Sequence, residues 1–132
     1  MQKEPSFHDR IVGEKLSAIT FVLDCWQFQF DGPTINALTR VQVSAGGNTL
    51  ADGDDQFRNL ICGQIGKIVA EVKFVKSRAF VVTFEDLSSI SISLKAEDYR
   101  GPEAIVYFDS NQTVVIRDDI TIEFGSGLIG RP

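Results

Sequence analysis

The stretch AFVVTFEDLSSISISLKA, residues 79–96, decides the fold class. Phe80, Val82 and Phe84 fall on one side of the chain, and Ser89, Ser91 and Ser93 alternate with Ile90, Ile92 and Leu94. A period of two is what a strand with one buried face requires. EDLS at 85–88 supplies the turn between the two strands. Upstream, Val72 and Phe74 alternate with Glu71 and Lys73, and KSR at 76–78 is the short connector. Residues 66–95 therefore read as a three-stranded antiparallel meander.

Residues 11–44 read alike. Ile19, Phe21 and Leu23 line one face of a strand, Asp24 and Cys25 make a tight turn, and Trp26, Phe28 and Phe30 alternate with Gln27 and Gln29. DGP at 31–33 breaks that strand, because glycine accepts positive φ and proline fixes φ near −65°. A third strand is expected with Val41 and Val43 inward. Aligning Gly13 with Gly66 brings Leu16 onto Val69, Phe21 onto Phe74 and, after one inserted residue, Trp26 onto Phe80 and Phe30 onto Phe84. The pattern predicts two similar meanders, by duplication or because burial forces the same alternation twice.

SAGGNTLADGDD, 44–55, reads as a polar connector. Phe57, Leu60, Ile61 and Ile65 recur at helical spacing after it. A short helix is expected over 54–63, capped by Asp54 or Asp55 and ended by Gly63. Residues 103–124 read as further strands, including a C-terminal hairpin, with residues 1–9 and 125–132 as loose ends. Each meander has an aromatic face to hide, worth roughly 1.5–3 kcal/mol per buried aromatic side chain. The expectation is one mostly-β domain, six to nine antiparallel strands in a sandwich or partly open barrel, the short helix lying between the two halves.

Composition bounds the function. The formal net charge of −5 disfavours binding to nucleic acid or to an anionic membrane, and suits a basic partner. MQKEPSFHDR has no apolar run of the secretory kind, and no stretch is long and apolar enough to span a bilayer, so a cytoplasmic location is expected. Cys25 and Cys62 lack CxxC spacing and read as reduced core thiols. No cofactor is expected, since phosphate-cradling and nucleophile-elbow motifs are missing.

His8 is the sole histidine, which excludes multi-histidine metal sites and leaves no obvious Ser-His-Asp triad. DGDD at 52–55 lacks the alternating oxygen ligands of a calcium loop. Acid pairs occur at Glu85/Asp86, Glu97/Asp98 and Asp118/Asp119, each at an expected turn, so a carboxylate-dependent hydrolase is the least favoured reading. EDYRGPEAIVYF, 97–108, is the most individual stretch. Tyr99, Arg100 and Glu103 would form a polar recognition rim, or else a plain chain reversal. Trp26, Phe28, Phe80 and Phe84 would line an aromatic ligand pocket, or else fill the core.

FRNLICGQIGKIVAEVKF, AFVVTFEDLSSISISL and GPEAIVYF together resemble a short bacterial domain family of unknown function, over about residues 54–108 with an echo at 11–44. Some of its relatives are predicted immunity proteins of toxin systems. EDLS stands where that family has an aspartate-glycine turn, and no catalytic residue carries over. The missing catalytic inventory and the acidic balance lead to the expectation of a non-enzymatic protein-binding module, of which an immunity-type protein neutralising a basic toxin would be one example. Edge strands in need of cover add the expectation of a homodimer.

Overall fold

The computed structural model describes residues 9–23 and 25–117, together with the backbone of 120–125. The described residues form eleven strands and one α-helix. The strands are β1 (Leu16–Val22), β2 (Cys25–Phe30), β3 (Thr34–Ala37), β4 (Val41–Ala45), β5 (Asn48–Ala51), β6 (Val69–Val75), β7 (Ala79–Phe84), β8 (Ser89–Ser93), β9 (Ile105–Phe108), β10 (Gln112–Arg117) and β11 (Ile120–Gly125). The helix, α1 (Phe57–Cys62), lies between β5 and β6. No described helix is long and apolar enough to cross a membrane.

The strands build two antiparallel sheets, one in the order β1-β2-β3-β9-β10-β11 and the other β5-β4-β8-β7-β6. The fold is therefore mostly β and consistent with a sandwich, not a closed barrel. Inward positions follow the alternation: Trp26, Phe28 and Phe30 on β2, Phe80, Val82 and Phe84 on β7, and Ile90 and Ile92 on β8 are all buried. Their outward neighbours are only half-buried, as one solvated face per strand demands.

The two halves correspond in register. Phe21 pairs with Trp26 as Phe74 pairs with Phe80, and Ile19 with Phe28 as Val72 with Val82. β1 has a register shift between Leu16 and Ala18, and β6 has one at the matching place, between Val69 and Glu71. The halves also meet reciprocally around a Lys15–Ile68 bridge. The Gly13 N–H donates to the Val69 carbonyl at 2.8 Å, and the Gly66 N–H donates to the Leu16 carbonyl at 2.7 Å. Both glycines have positive φ, +88° and +99°, which a side chain would penalise.

The correspondence extends beyond the meanders. After β3 the chain crosses to the second sheet, where β4 pairs with β8 (Val41 with Ile92, Val43 with Ile90). After β8 it crosses back, and β9 pairs with β3 (Ile105 with Ala37, Tyr107 with Ile35). Each meander thus donates its following strand pair to the other sheet. The two crossings are held alike: the Leu38 N–H donates to Ala104 O at 2.8 Å and the Ser93 N–H to Arg40 O at 2.9 Å.

This corrects several expectations. The third strand of the first meander is β3, Thr34–Ala37, whereas the strand containing Val41 and Val43 belongs to the opposite sheet. The supposed connector 44–55 contains the β4–β5 hairpin, turned at Gly46 and Gly47, whose φ values of +59° and +85° suit a tight hairpin turn. The strand count exceeds six to nine, and EDYRGPEAIVYF contains the counterpart of β4. The C-terminal hairpin is present as β10–β11, with Gln112 opposite Gly125.

The helix starts at Phe57 behind Gln56, which has φ +69° and makes no side-chain cap. Asp54 instead accepts a hydrogen bond from the Ala51 N–H at 2.8 Å, so its carboxylate closes β5 rather than the helix. Gly63 ends the helix as expected. Phe57 and Ile61 are buried, while Ile65 lies past the helix and is exposed.

Candidate functional site

The four aromatics expected to form a pocket or core are core: Trp26, Phe28, Phe80 and Phe84 are 4%, 2%, 0% and 0% exposed and belong to one packed cluster. Of the expected rim, Arg100 and Glu103 do come together. They line an open cleft of about 310 Å³ with Leu23, Cys25, Leu38 and Pro102. Tyr99 turns inward and packs against the core.

This cleft lies at the β1–β2 end of the first sheet, where the 94–104 crossover passes. Leu23 is 85% exposed and heads the cleft with φ +22°, outside the usual region for a side-chain-bearing residue. Burial raises the Cys25 thiol above its usual value, which keeps it protonated and a poor nucleophile at neutral pH. Neither cysteine is the core residue expected. Cys25 is half-buried and Cys62 is exposed on the helix, and both are free.

Behind the cleft a polar anchor ties the crossover to the sandwich. Asp52 accepts a hydrogen bond from the Trp26 indole N–H at 3.1 Å, and the Arg100 Nη2 lies 4.0 Å from the same oxygen. Trp26 in turn meets Phe57 edge-on at 5.5 Å and Phe21 at 4.7 Å, with the Arg58 guanidinium 5.6 Å above the Phe21 ring. The aromatic chain thus runs from the helix to the open edge of the first sheet.

That edge is β1. Apart from the Lys15–Ile68 bridge and the hydrogen bonds of Leu16 to Gly66 and Lys67, β1 pairs only with β2 among the described residues. From Leu16 to Leu23 it carries no charge, and Phe21 and Val22 at its end are 46% and 48% exposed. The counterpart edge, β6, carries Glu71 and Lys73, their charges 4.0 Å apart. Charged residues on an edge strand block strand addition, and an uncharged edge invites it. Sequence reasoning missed this contrast because nothing in the chain marks β1 as an edge, although LSAITFVL displays its lack of charge.

One acid of each described pair is occupied locally. Hydrogen bonds from Lys67 and from Ser88 hold Asp86 far below the usual carboxylate range, with the Lys67 ammonium at 2.7 Å. Asp98 accepts from the Ser93 hydroxyl at 2.6 Å. His8 and Asp118/Asp119 lie outside the described residues. Groups of three or more potential metal ligands do not occur among the described residues. Comparison with protein-family models, curated proteins and solved structures found no match to this chain.

Proposed function

We propose that the protein is a non-enzymatic protein-binding module that recruits its partner by strand addition at β1, and that the primary occupant is a second copy of the chain. The observation that carries this reading is the contrast between the uncharged β1 edge and the charge-bearing β6 edge. A second copy suits β1 because antiparallel self-pairing brings no like charges together. It would also cover Phe21 and Val22, and burial of such side chains drives association. Reading β1–β5 and β6–β10 as two copies of one unit sharpens the contrast, since matched registers then leave charge as the difference between the edges. An immunity-type role is a heterologous form of the same mode, in which a basic toxin supplies the added strand to an acidic chain.

Light scattering across a concentration series tests the proposal. A dimer mass that returns to monomer on Thr20→Lys is expected, because Thr20 is an exposed edge position whose change leaves the core intact. A monomer at every concentration, or a dimer indifferent to T20K, would overturn the second-copy occupant. Complex formation with a basic extended peptide, lost in T20K, would then assign the edge to a heterologous partner.

A further inference from the structure

The end of the second sheet carries a cleft in the place corresponding to the apolar one just described. Ala79 opens β7 as Cys25 opens β2, and Ser93 stands at the crossover as Leu38 does. The chemistry differs: the first cleft is mainly apolar with one arginine, and the second is mainly polar with three cations. This second cleft, about 390 Å³, is lined by Arg40, Arg78 and Lys95 above a floor that includes Gln42 and Ser91. The three cations come from three separate segments: Arg40 precedes β4, Arg78 precedes β7, and Lys95 follows β8.

All three cations are exposed, in a chain whose 18 acids outnumber its 13 lysines and arginines. Within the described residues none of the three forms an ion pair. Two carboxylates, Glu97 and Asp98, stand on the wall. Asp98 is engaged by Ser93, whose hydroxyl oxygen also accepts the Lys95 N–H at 3.1 Å. The fold does not fix three cations at this place, because the corresponding cleft in the other half has Leu23, Cys25 and Leu38 beside a single arginine, Arg100.

We propose that this cleft binds a small phosphorylated molecule with a hydroxyl-bearing body. Two guanidinium groups and an ammonium are matched to a phosphate monoester, which accepts forked hydrogen bonds from arginine. The amide of Gln42, the hydroxyl of Ser91 and the carboxylate of Glu97 are matched to hydroxyls on the remainder. The small side chains of Ala79 and Ser91 keep the floor open for that body.

Calorimetric titration at low ionic strength with glucose 6-phosphate, glucose and inorganic phosphate tests the assignment. Saturable binding of the sugar phosphate is expected, at least about tenfold tighter than either fragment molecule. Arg40→Ala and Arg78→Ala should each weaken it by about tenfold or more, with Arg117→Ala, on the other sheet, leaving it unchanged. Melting curves matching the parent protein would certify that the exposed variants fold. No saturation up to about 10 mM would overturn the proposal. So would binding insensitive to R40A and R78A, or inorganic phosphate binding as tightly as the sugar phosphate. The oligomeric state is not a readout of this experiment, so its outcome is independent of the β1 proposal.

Discussion

At the residue scale, the polar groups that matter most are those buried where the chain changes direction. Asp109 closes the β9–β10 turn: its carboxylate accepts hydrogen bonds from the Asn111 N–H at 2.7 Å, from the Gln112 N–H at 3.0 Å and from the Tyr107 hydroxyl. Burial alone would raise its pKa, but these hydrogen bonds, with Arg10 at 3.7 Å, outweigh burial and hold it below the usual range. A depressed folded-state pKa contributes stability that is complete above the unfolded value of about 3.9 and is lost as pH falls through the folded value. Asp109→Asn should therefore cost about 1–3 kcal/mol at pH 7, and the gap to the parent protein should shrink on acidification to pH 3. Urea midpoints at the two pH values check this, and a gap that widened in acid would contradict it. Thr39, 1% exposed, donates its hydroxyl to the Ser93 carbonyl at 2.5 Å across the crossing point of the two sheets. Thr39→Val keeps the shape but orphans that carbonyl, with an expected cost of about 1 kcal/mol or somewhat more in chemical denaturation.

At the element scale, legibility in the sequence tracked the length and the neighbours of each strand. β7 and β8 were readable because five or six alternating residues are joined by a four-residue turn, so the pairing partner is the next segment along. β3 was hidden because TINA is four residues long and follows Pro33, and half its pairing lies with the distant β9. β5 was hidden in a glycine-rich stretch whose composition suits a loop as well as a hairpin. The sequence marked Arg100 and Glu103 through the Gly101-Pro102 turn, but gave no sign that Arg40, Arg78 and Lys95 converge, since each sits at the border of a different element. The β4–β5 hairpin gives the element-scale prediction. Gly47 has φ +85° in the hairpin turn with open space around it, so Gly47→Ala meets no clash and tests backbone strain alone. A loss of about 1 kcal/mol or slightly more is expected by thermal or urea unfolding. An unchanged midpoint would mean that the turn adapts.

At the scale of the whole molecule, the exchange of strand pairs makes neither half self-sufficient. Residues 1–65 alone would hold β1–β3 without β9 and β4–β5 without β8. Peptides spanning 1–65 and 66–132 should each lack a cooperative melting transition when separate, and should recover one on mixing, as followed by circular dichroism. Cooperative unfolding of the 1–65 peptide as a monomer would refute that interdependence.

The same crossing has a consequence for the order of events during synthesis. When β4 and β5 leave the ribosome, the strand on which they dock has not yet been made, since Val41 and Val43 pair with Ile92 and Ile90 of β8. The nascent chain must therefore carry an unpaired hairpin edge until β8 emerges, and β3 must wait longer still for β9. Synthesis thus passes through an interval of exposed strand edges, the stage at which a slowed ribosome or a crowded polysome would turn folding into aggregation.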